Sequence, residues 1–366
     1  MSAQSSNTLD PPSLHSFKCS QTPLSWGSSN SHSAAEYPVE LLLGQEDVNP
    51  DMPDTGGWTL LSRADQKADD GAVKPLLKRE GVNPHMSDKG GQTPLSWAAS
   101  NWRGQAENVM KVLLEREEAN TLMTENGGRT PLLWAASNLW SAGEDVMKPL
   151  WGQEDINPDM PDNCGRTPLS LAASNSYGQA ENTVKLLLER EGVTPDIPDK
   201  DGRTPLSWAG SNWNSKAEQA VKLLLWRKEV KPNMPDNDGR TRVSWALVNW
   251  YGGEGSVAKR LLGREDIHPN IPDKCGRTPL SWVAEHGYWE VLKPLLGREG
   301  VIAYVADNGG WTPVSLAAWG QRDEVAKLLL EQEGANPGRL NKDGLTQLCL
   351  ASGGWRRRVV RQLHAG

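Results

Sequence analysis

Six histidines, at positions 15, 32, 85, 268, 286 and 364, are the natural first place to look for acid–base or metal chemistry. No pair of them has metal-ligand spacing, and none aligns with a recurring serine to form a nucleophile and its base. The four cysteines fall at 19, 164, 275 and 349. Cys164 and Cys275 hold the same place in two copies of a recurring segment, three units apart. With roughly 8–10 Å between packed neighbours, that separation exceeds the ~7 Å reach of a disulfide. Free thiols are therefore expected, and the pattern suggests no zinc site. The glycine-rich stretch WYGGEGS at 250–256 lacks the GKS or GKT ending of a phosphate-cradling loop. No cofactor is implied, and the chain is not expected to be an enzyme.

Arginine and tryptophan do recur in register. Arg129, Arg166, Arg203, Arg240 and Arg277 each stand one residue before a threonine, with Trp58, Gln92, Trp311 and Leu345 in that place elsewhere. Asp162, Asp199, Asp236 and Asp273 lie four residues before an arginine. Such a row either faces an acidic partner or forms a solvated turn surface with local ion pairs, each worth about 0–1 kcal/mol. Trp102, Trp213 and Trp250 share another position, nine residues after their threonine. An aromatic ring there either anchors an interface or packs against its own turn. Trp26, Trp97, Trp134, Trp208, Trp245 and Trp282 share a third position, four residues after threonine. Leu171 and Leu316 replace tryptophan there, which favours packing between helices over ligand contact.

What positions these residues is a repeat. The marking threonines are Thr22, Thr59, Thr93, Thr130, Thr167, Thr204, Thr241, Thr278, Thr312 and Thr346, at intervals of 37 or 34 residues. Comparing WVAEHGYWEVLKPLL (282–296) with WAASNWRGQAENVMKVLL (97–114) puts the three extra residues between two helical stretches. They lengthen a turn and spare both helices. Within the unit 199–236, Thr204 is placed as an N-cap and Pro205 as the first helical residue, where its missing N–H costs nothing. Leu206 and Ala209 face inward, and Val221, Leu224 and Leu225 give a second helix an apolar stripe. The segment PNMPD then ends the unit. A glycine two places before threonine, as at 165, 202 and 239, fits a tight turn with positive φ. Two short helices cannot bury their own apolar faces, so the units must stack. The expected fold is an all-α solenoid of about nine to ten helix-turn-helix units.

Composition limits the partners. The net charge is −7, from 39 basic and 46 acidic residues, which argues against non-specific nucleic-acid binding. No apolar run reaches membrane-spanning length, and the first twenty residues lack the apolar core of a secretory signal. An intracellular protein, cytoplasmic rather than nuclear, is the expectation. Its expected partner is a protein, not a membrane, and it is expected to be monomeric unless it belongs to a larger chain.

The segments GGQTPLSWAA with VMKVLL, GRTPLSLAA with TVKLLL, and GGWTPVSLAA with EVAKLLL resemble the ankyrin repeat. The resemblance covers residues 19–366 and leaves 1–18 as an expected disordered segment. Its longer units look like the expanded ankyrin arrays of filamentous fungi. It implies β-turn fingers, paired helices and a non-catalytic protein–protein interaction scaffold or adaptor. One alternative is the sensing or autoinhibitory C-terminal region of a larger fungal signalling or incompatibility-type protein. Another is an enzyme with ankyrin decoration, for which the repeats leave no room. The chain departs from the family in the histidine after Leu, replaced by Ser25, Ser62, Ser96, Leu133, Ser170, Ser207, Ser244, Ser281, Ser315 and Cys349. Adjacent turns are therefore expected to be less rigidly tied. Pro75, Pro149 and Pro294 inside second helices, and Arg242 in place of proline, mark the units 59–90, 130–160 and 241–273 as the weaker ones. Arg356, Arg357, Arg358 and Arg361 give the last helix the polar face a terminal repeat needs.

Overall fold

The computed structural model describes residues 49–67, 70–101, 106–116, 120–138, 143–175, 180–211, 217–248 and 256–332. The segment 1–18, the units marked by Thr22 and Thr346, and the arginine-rich end lie outside these residues. The other eight units each supply two helices. In chain order these are α1 (Leu60–Lys67) and α2 (Asp70–Lys78), α3 (Pro94–Ser100) and α4 (Ala106–Leu114), and α5 (Pro131–Ser137) and α6 (Gly143–Trp151). They continue with α7 (Pro168–Ser174) and α8 (Ala180–Glu189), and α9 (Pro205–Ser211) and α10 (Ala217–Trp226). The last are α11 (Arg242–Val248) and α12 (Ser256–Leu262), α13 (Pro279–His286) and α14 (Trp289–Leu296), and α15 (Pro313–Trp319) and α16 (Asp323–Leu330). No strand occurs among the described residues.

The start of each first helix is set locally. Thr93 is extended, at φ −83° and ψ 163°, and its Oγ1 accepts the Ser96 N–H at 3.3 Å. The serine in the family's histidine place adds to this cap, with 3.2 Å between the Thr167 and Ser170 hydroxyls. At Thr278 and Thr312 it completes a reciprocal capping box. The glycine two before threonine is required on two counts at position 165. Its φ is +81°, and a Cβ there would lie 2.8 Å from the Lys200 backbone nitrogen of the next unit.

The apolar stripes merge as expected. First helices pack on neighbouring first helices and second helices on neighbouring second helices. One hydrophobic cluster runs from Leu60 to Leu329.

Without the family's histidine, neighbouring fingers are tied by other groups. The Asn163 N–H donates to the Gly127 carbonyl at 2.9 Å, and its side-chain amide donates to the Asn126 carbonyl at 3.0 Å. Asn237 repeats the side-chain bond to the Lys200 carbonyl at 2.8 Å. At the ends of the first helices, Asn138 Nδ2 reaches the Asn101 carbonyl and Asn175 Nδ2 the Asn138 carbonyl, both at 3.0 Å. After the second helices, Arg190 Nη1 donates to the Trp151 carbonyl at 2.7 Å and Arg264 Nη1 to the Leu225 carbonyl at 2.9 Å. Cations there meet carbonyls at the negative end of the preceding unit's helix.

Two of the units expected to be weak carry a buried ionisable side chain. The helices containing Pro75, Pro149 and Pro294 stay helical through each proline. Arg242, however, enters α11 fully buried, its Nη2 bonded to Thr204 Oγ1 at 2.8 Å and lying 3.3 Å from Asp196 Oδ1. Its Nε and Nη1 have no partner. Burial pulls its pKa below the ordinary arginine value, and Asp196 opposes that. Asp65 is more exceptional, standing where other units place Ala99, Ala136 and Ala173. It is fully buried with both carboxylate oxygens unpartnered, and burial pushes its pKa well above the carboxylate range.

Candidate interaction surface

Seven of the eight described fingers are built by an aspartate. Asp162 Oδ1 accepts the N–H groups of Cys164 and Arg166 at 2.9 Å each, closing the turn. Asp199 does the same for Asp201 and Arg203, and Asp236 for Asp238 and Arg240. This leaves the second carboxylate oxygen free to accept elsewhere. Side chains in the first turn of a helix lean back toward its N-terminus. In three units the tryptophan four residues after threonine therefore bonds its own finger. Its indole N–H donates to that second oxygen at 3.2 Å for Trp97 and Asp88, 3.0 Å for Trp208 and Asp199, and 2.7 Å for Trp245 and Asp236. The Trp282 indole nitrogen, by contrast, is buried without a partner although Asp273 is in place.

Where two successive units keep the tryptophan, the arginine before threonine lies between its own ring and the next one. Arg203 sits 5.1 Å from the Trp208 ring centroid and 4.3 Å from that of Trp245. Arg240 lies 5.1 Å from Trp245 and 5.7 Å from Trp282, and Arg277 lies 5.0 Å from Trp282. Arg129 covers Trp134 at 4.7 Å. The two stripes are thus one ladder of alternating cations and indoles. A guanidinium over an indole contributes about 0.5–2 kcal/mol, more as it is desolvated.

The unit at Thr59 confirms the coupling by exchanging the two residue types. Trp58 holds the arginine position and Arg63 the tryptophan position, 4.4 Å apart. Arg63 Nη2 donates to Asp54 Oδ2 at 2.7 Å, where an indole N–H sits elsewhere, and Trp58 packs against Trp97 with ring centroids 4.4 Å apart and planes tilted by 37°. Substitution of either partner leaves gaps. Glu125 replaces the finger aspartate beside Trp134, whose indole nitrogen is buried without a partner. Leu171 replaces the tryptophan beside Arg166, which turns to Asp162 at 2.8 Å instead.

All five predicted arginines therefore lie together on this ridge. The side chains of Arg129, Arg166 and Arg277 are only about a quarter exposed, so these charges are held against neighbouring rings or carboxylates rather than standing free. Trp134, Trp208 and Trp282 pack one face on the core, as expected, but keep an edge at the surface. Trp102, Trp213 and Trp250 lie outside the described residues. Cys164 and Cys275 are exposed free thiols at the fingers. The sequence does contain the ladder's signal: arginine and tryptophan recur five residues apart, and exchange places at 58 and 63.

The model of the family described as ankyrin repeats (3 copies) matches residues 64–160, 140–236 and 243–341, well over half of the sequence. The chain belongs to the ankyrin-repeat family. Among solved structures, one titled as the crystal structure of EF0377, an ankyrin repeat protein, is similar over 52% of this chain and 91% of that chain. Its identity is 22% and its TM-score 0.46. No curated protein sequence matches this ankyrin array. None of its described helices is long and apolar enough to cross a membrane.

Proposed function

We propose that this ankyrin array is a non-catalytic protein-interaction scaffold or adaptor whose fingertip ridge takes the partner. Ankyrin repeats are generally protein-interaction modules. The observation that carries the choice of face is the continuous stack of Trp208, Arg203, Trp245, Arg240, Trp282 and Arg277. Stacking fixes each guanidinium plane before binding, so little side-chain entropy is lost when its outer edge meets a carboxylate. Nearby carboxylates offset the charge, with Asp307 3.5 Å from Arg277 and Asp162 2.8 Å from Arg166. Recognition then rests on planar, bidentate hydrogen bonding rather than on a broad positive field. Arg129, Arg166, Arg203, Arg240 and Arg277 form the row, and Trp102, Trp213 and Trp250, which lie outside the described residues, are proposed as apolar anchors.

The test begins with proteins captured from cell extract on the purified chain, followed by calorimetry of each against variants. Arg203→Lys with Arg240→Lys keeps the charge and removes the planar fork. Joint alanine substitution of Trp102, Trp213 and Trp250 removes the anchors. Each set should weaken binding at least about tenfold. Full affinity in both would place the partner on another face.

A further inference from the structure

The five arginines of the ridge differ in what answers their charge. Arg166 Nη2 lies 2.8 Å from Asp162 Oδ2, Arg277 Nη1 lies 2.7 Å from Glu285 Oε2, and Arg129 Nε reaches Asp162 at 3.9 Å. Among the described residues, no carboxylate pairs with Arg203 or Arg240. Each has its Nε buried without a partner, so the outer Nη edge is the one a ligand can reach.

Tryptophan makes the difference. A finger aspartate has one carboxylate oxygen to spare once its turn is closed. Where Leu171 replaces tryptophan, that oxygen of Asp162 takes Arg166. In the next two units an indole N–H takes it first, Trp208 on Asp199 at 3.0 Å and Trp245 on Asp236 at 2.7 Å. The other oxygens of Asp199 and Asp236 each accept two backbone N–H groups. Both aspartates are buried with their oxygens engaged by neutral donors, and both arginines are left unanswered. The place of Glu285, which answers Arg277, holds Ser211 and Val248 in these two units.

The two open cations stand side by side. Arg203 and Arg240 lie 4.3 and 5.1 Å from the centroid of the same Trp245 ring, so they are no farther apart than those two distances together. An extended chain spans about 7–10 Å between side chains two or three residues apart. The exposed Asp201 and Asp238 on these fingers are offset by lysines. Lys200 adjoins Asp201 in the chain, and the Lys274 N–H bonds the Asp238 carbonyl at 2.8 Å.

Taking the ridge as the partner face, we propose that its anion site is the Arg203–Arg240 pair. Its occupant is an extended acidic peptide segment that brings two carboxylates, two or three residues apart, one to each guanidinium. The two terminal nitrogens of each fork match the two oxygens of one carboxylate. On either side the neighbouring arginines are already paired, which confines the site to two anions and leaves a longer polyanion such as a nucleic acid unmatched. Trp208 and Trp245 are positioning residues that keep the finger aspartates from capturing the arginines.

The experiment uses the full chain and fluorescence polarisation of a labelled Ser/Thr-rich peptide carrying two Glu residues separated by one Thr. Comparison probes are its Gln counterpart and a single-stranded oligonucleotide. The Glu peptide should bind, rising salt should weaken it, and Arg203→Lys with Arg240→Lys should weaken it at least about tenfold. Trp208→Leu copies the unit of Leu171 and should also weaken it, because Asp199 then takes Arg203. Adding Asp199→Asn keeps the acceptor that closes the turn but removes the charge, and should return affinity to within about twofold of wild type. Loss of the ring stack alone would not be rescued by that second change. If Trp208→Leu does not fold by circular dichroism, the lysine pair and the Gln peptide decide the matter. Equal binding of the Gln peptide, full affinity in the lysine pair, a loss in Trp208→Leu that Asp199→Asn does not restore, binding of only the oligonucleotide, or no binding would each overturn the proposal. The ridge reading survives those results wherever captured partners still depend on Arg203 and Arg240, and fails where they do not.

Discussion

The fingertip ridge and the second-helix layer vary from unit to unit in opposite ways. Along the fingers, residues change in pairs at two units, although Glu125 and Leu171 change alone. Trp58 and Arg63 exchange the types found at Arg203 and Trp208. Arg277 bonds Glu285 at 2.7 Å, and the same two positions in the following unit hold Trp311 and Trp319 with ring centroids 5.7 Å apart. An ion pair in one unit is an aromatic pair in the next. On the second-helix layer the position of Trp226 passes through Lys, Glu, Gly and Trp with no matching change beside it. Paired change reports contact that must be kept, and unpaired change reports a surface where the fold is indifferent. The ridge is therefore both structure and proposed recognition face, whereas the fold does not constrain the position of Trp226.

Breaking the ridge at its best-connected rung should cost most. Trp245 is buried, touches Arg203 and Arg240, and bonds Asp236. Trp245→Ala should destabilise the array by about 3 kcal/mol or more in urea unfolding followed by circular dichroism. A smaller gain should follow from removing the defect beside the ridge at Asp65. Asp65→Ala restores the residue of other units and should stabilise by about 1–3 kcal/mol near neutral pH.

That gain has a definite pH dependence. The folded-state pKa of Asp65 lies above its unfolded value. Its contribution is most favourable below the ordinary carboxylate range, and is lost as pH rises through the folded-state value. The difference between wild type and Asp65→Ala should shrink on acidification from about neutral toward pH ~4. A gap that grows on acidification would assign the defect to something other than the carboxylate. The smallest effect is expected from Glu125→Asp, which offers the orphaned Trp134 indole N–H the acceptor that Trp97, Trp208 and Trp245 have. Thermal unfolding should report about 1 kcal/mol of stabilisation.

Much of the fold was legible because its rules act within a few residues. Threonine, proline and glycine fix the finger and helix start locally, and the apolar stripes dictate stacking. The ladder was harder to see because Arg203 and Arg240 each touch a tryptophan in the next unit as well as their own, so two rows read separately are joined there. Asp65 was hidden by its setting. In LLSRADQK a charged residue among polar neighbours reads as surface, and only the packing shows it facing inward. The serines replacing the family histidine suggested loosened fingers. The structure supplies asparagine side-chain bonds between fingers, a tie that one unit's text does not reveal.

The account depends most on arginine and tryptophan being interchangeable halves of one rung. The unit at Thr59 allows a direct test by urea unfolding of Trp58→Arg, Arg63→Trp and the double exchange. Each single change should cost about 1 kcal/mol, while the double, which recreates the pattern of Arg203 and Trp208, should return to within about 0.5 kcal/mol of wild type. A double exchange that costs the sum of the two singles would show that the rows are independent and that no ladder exists.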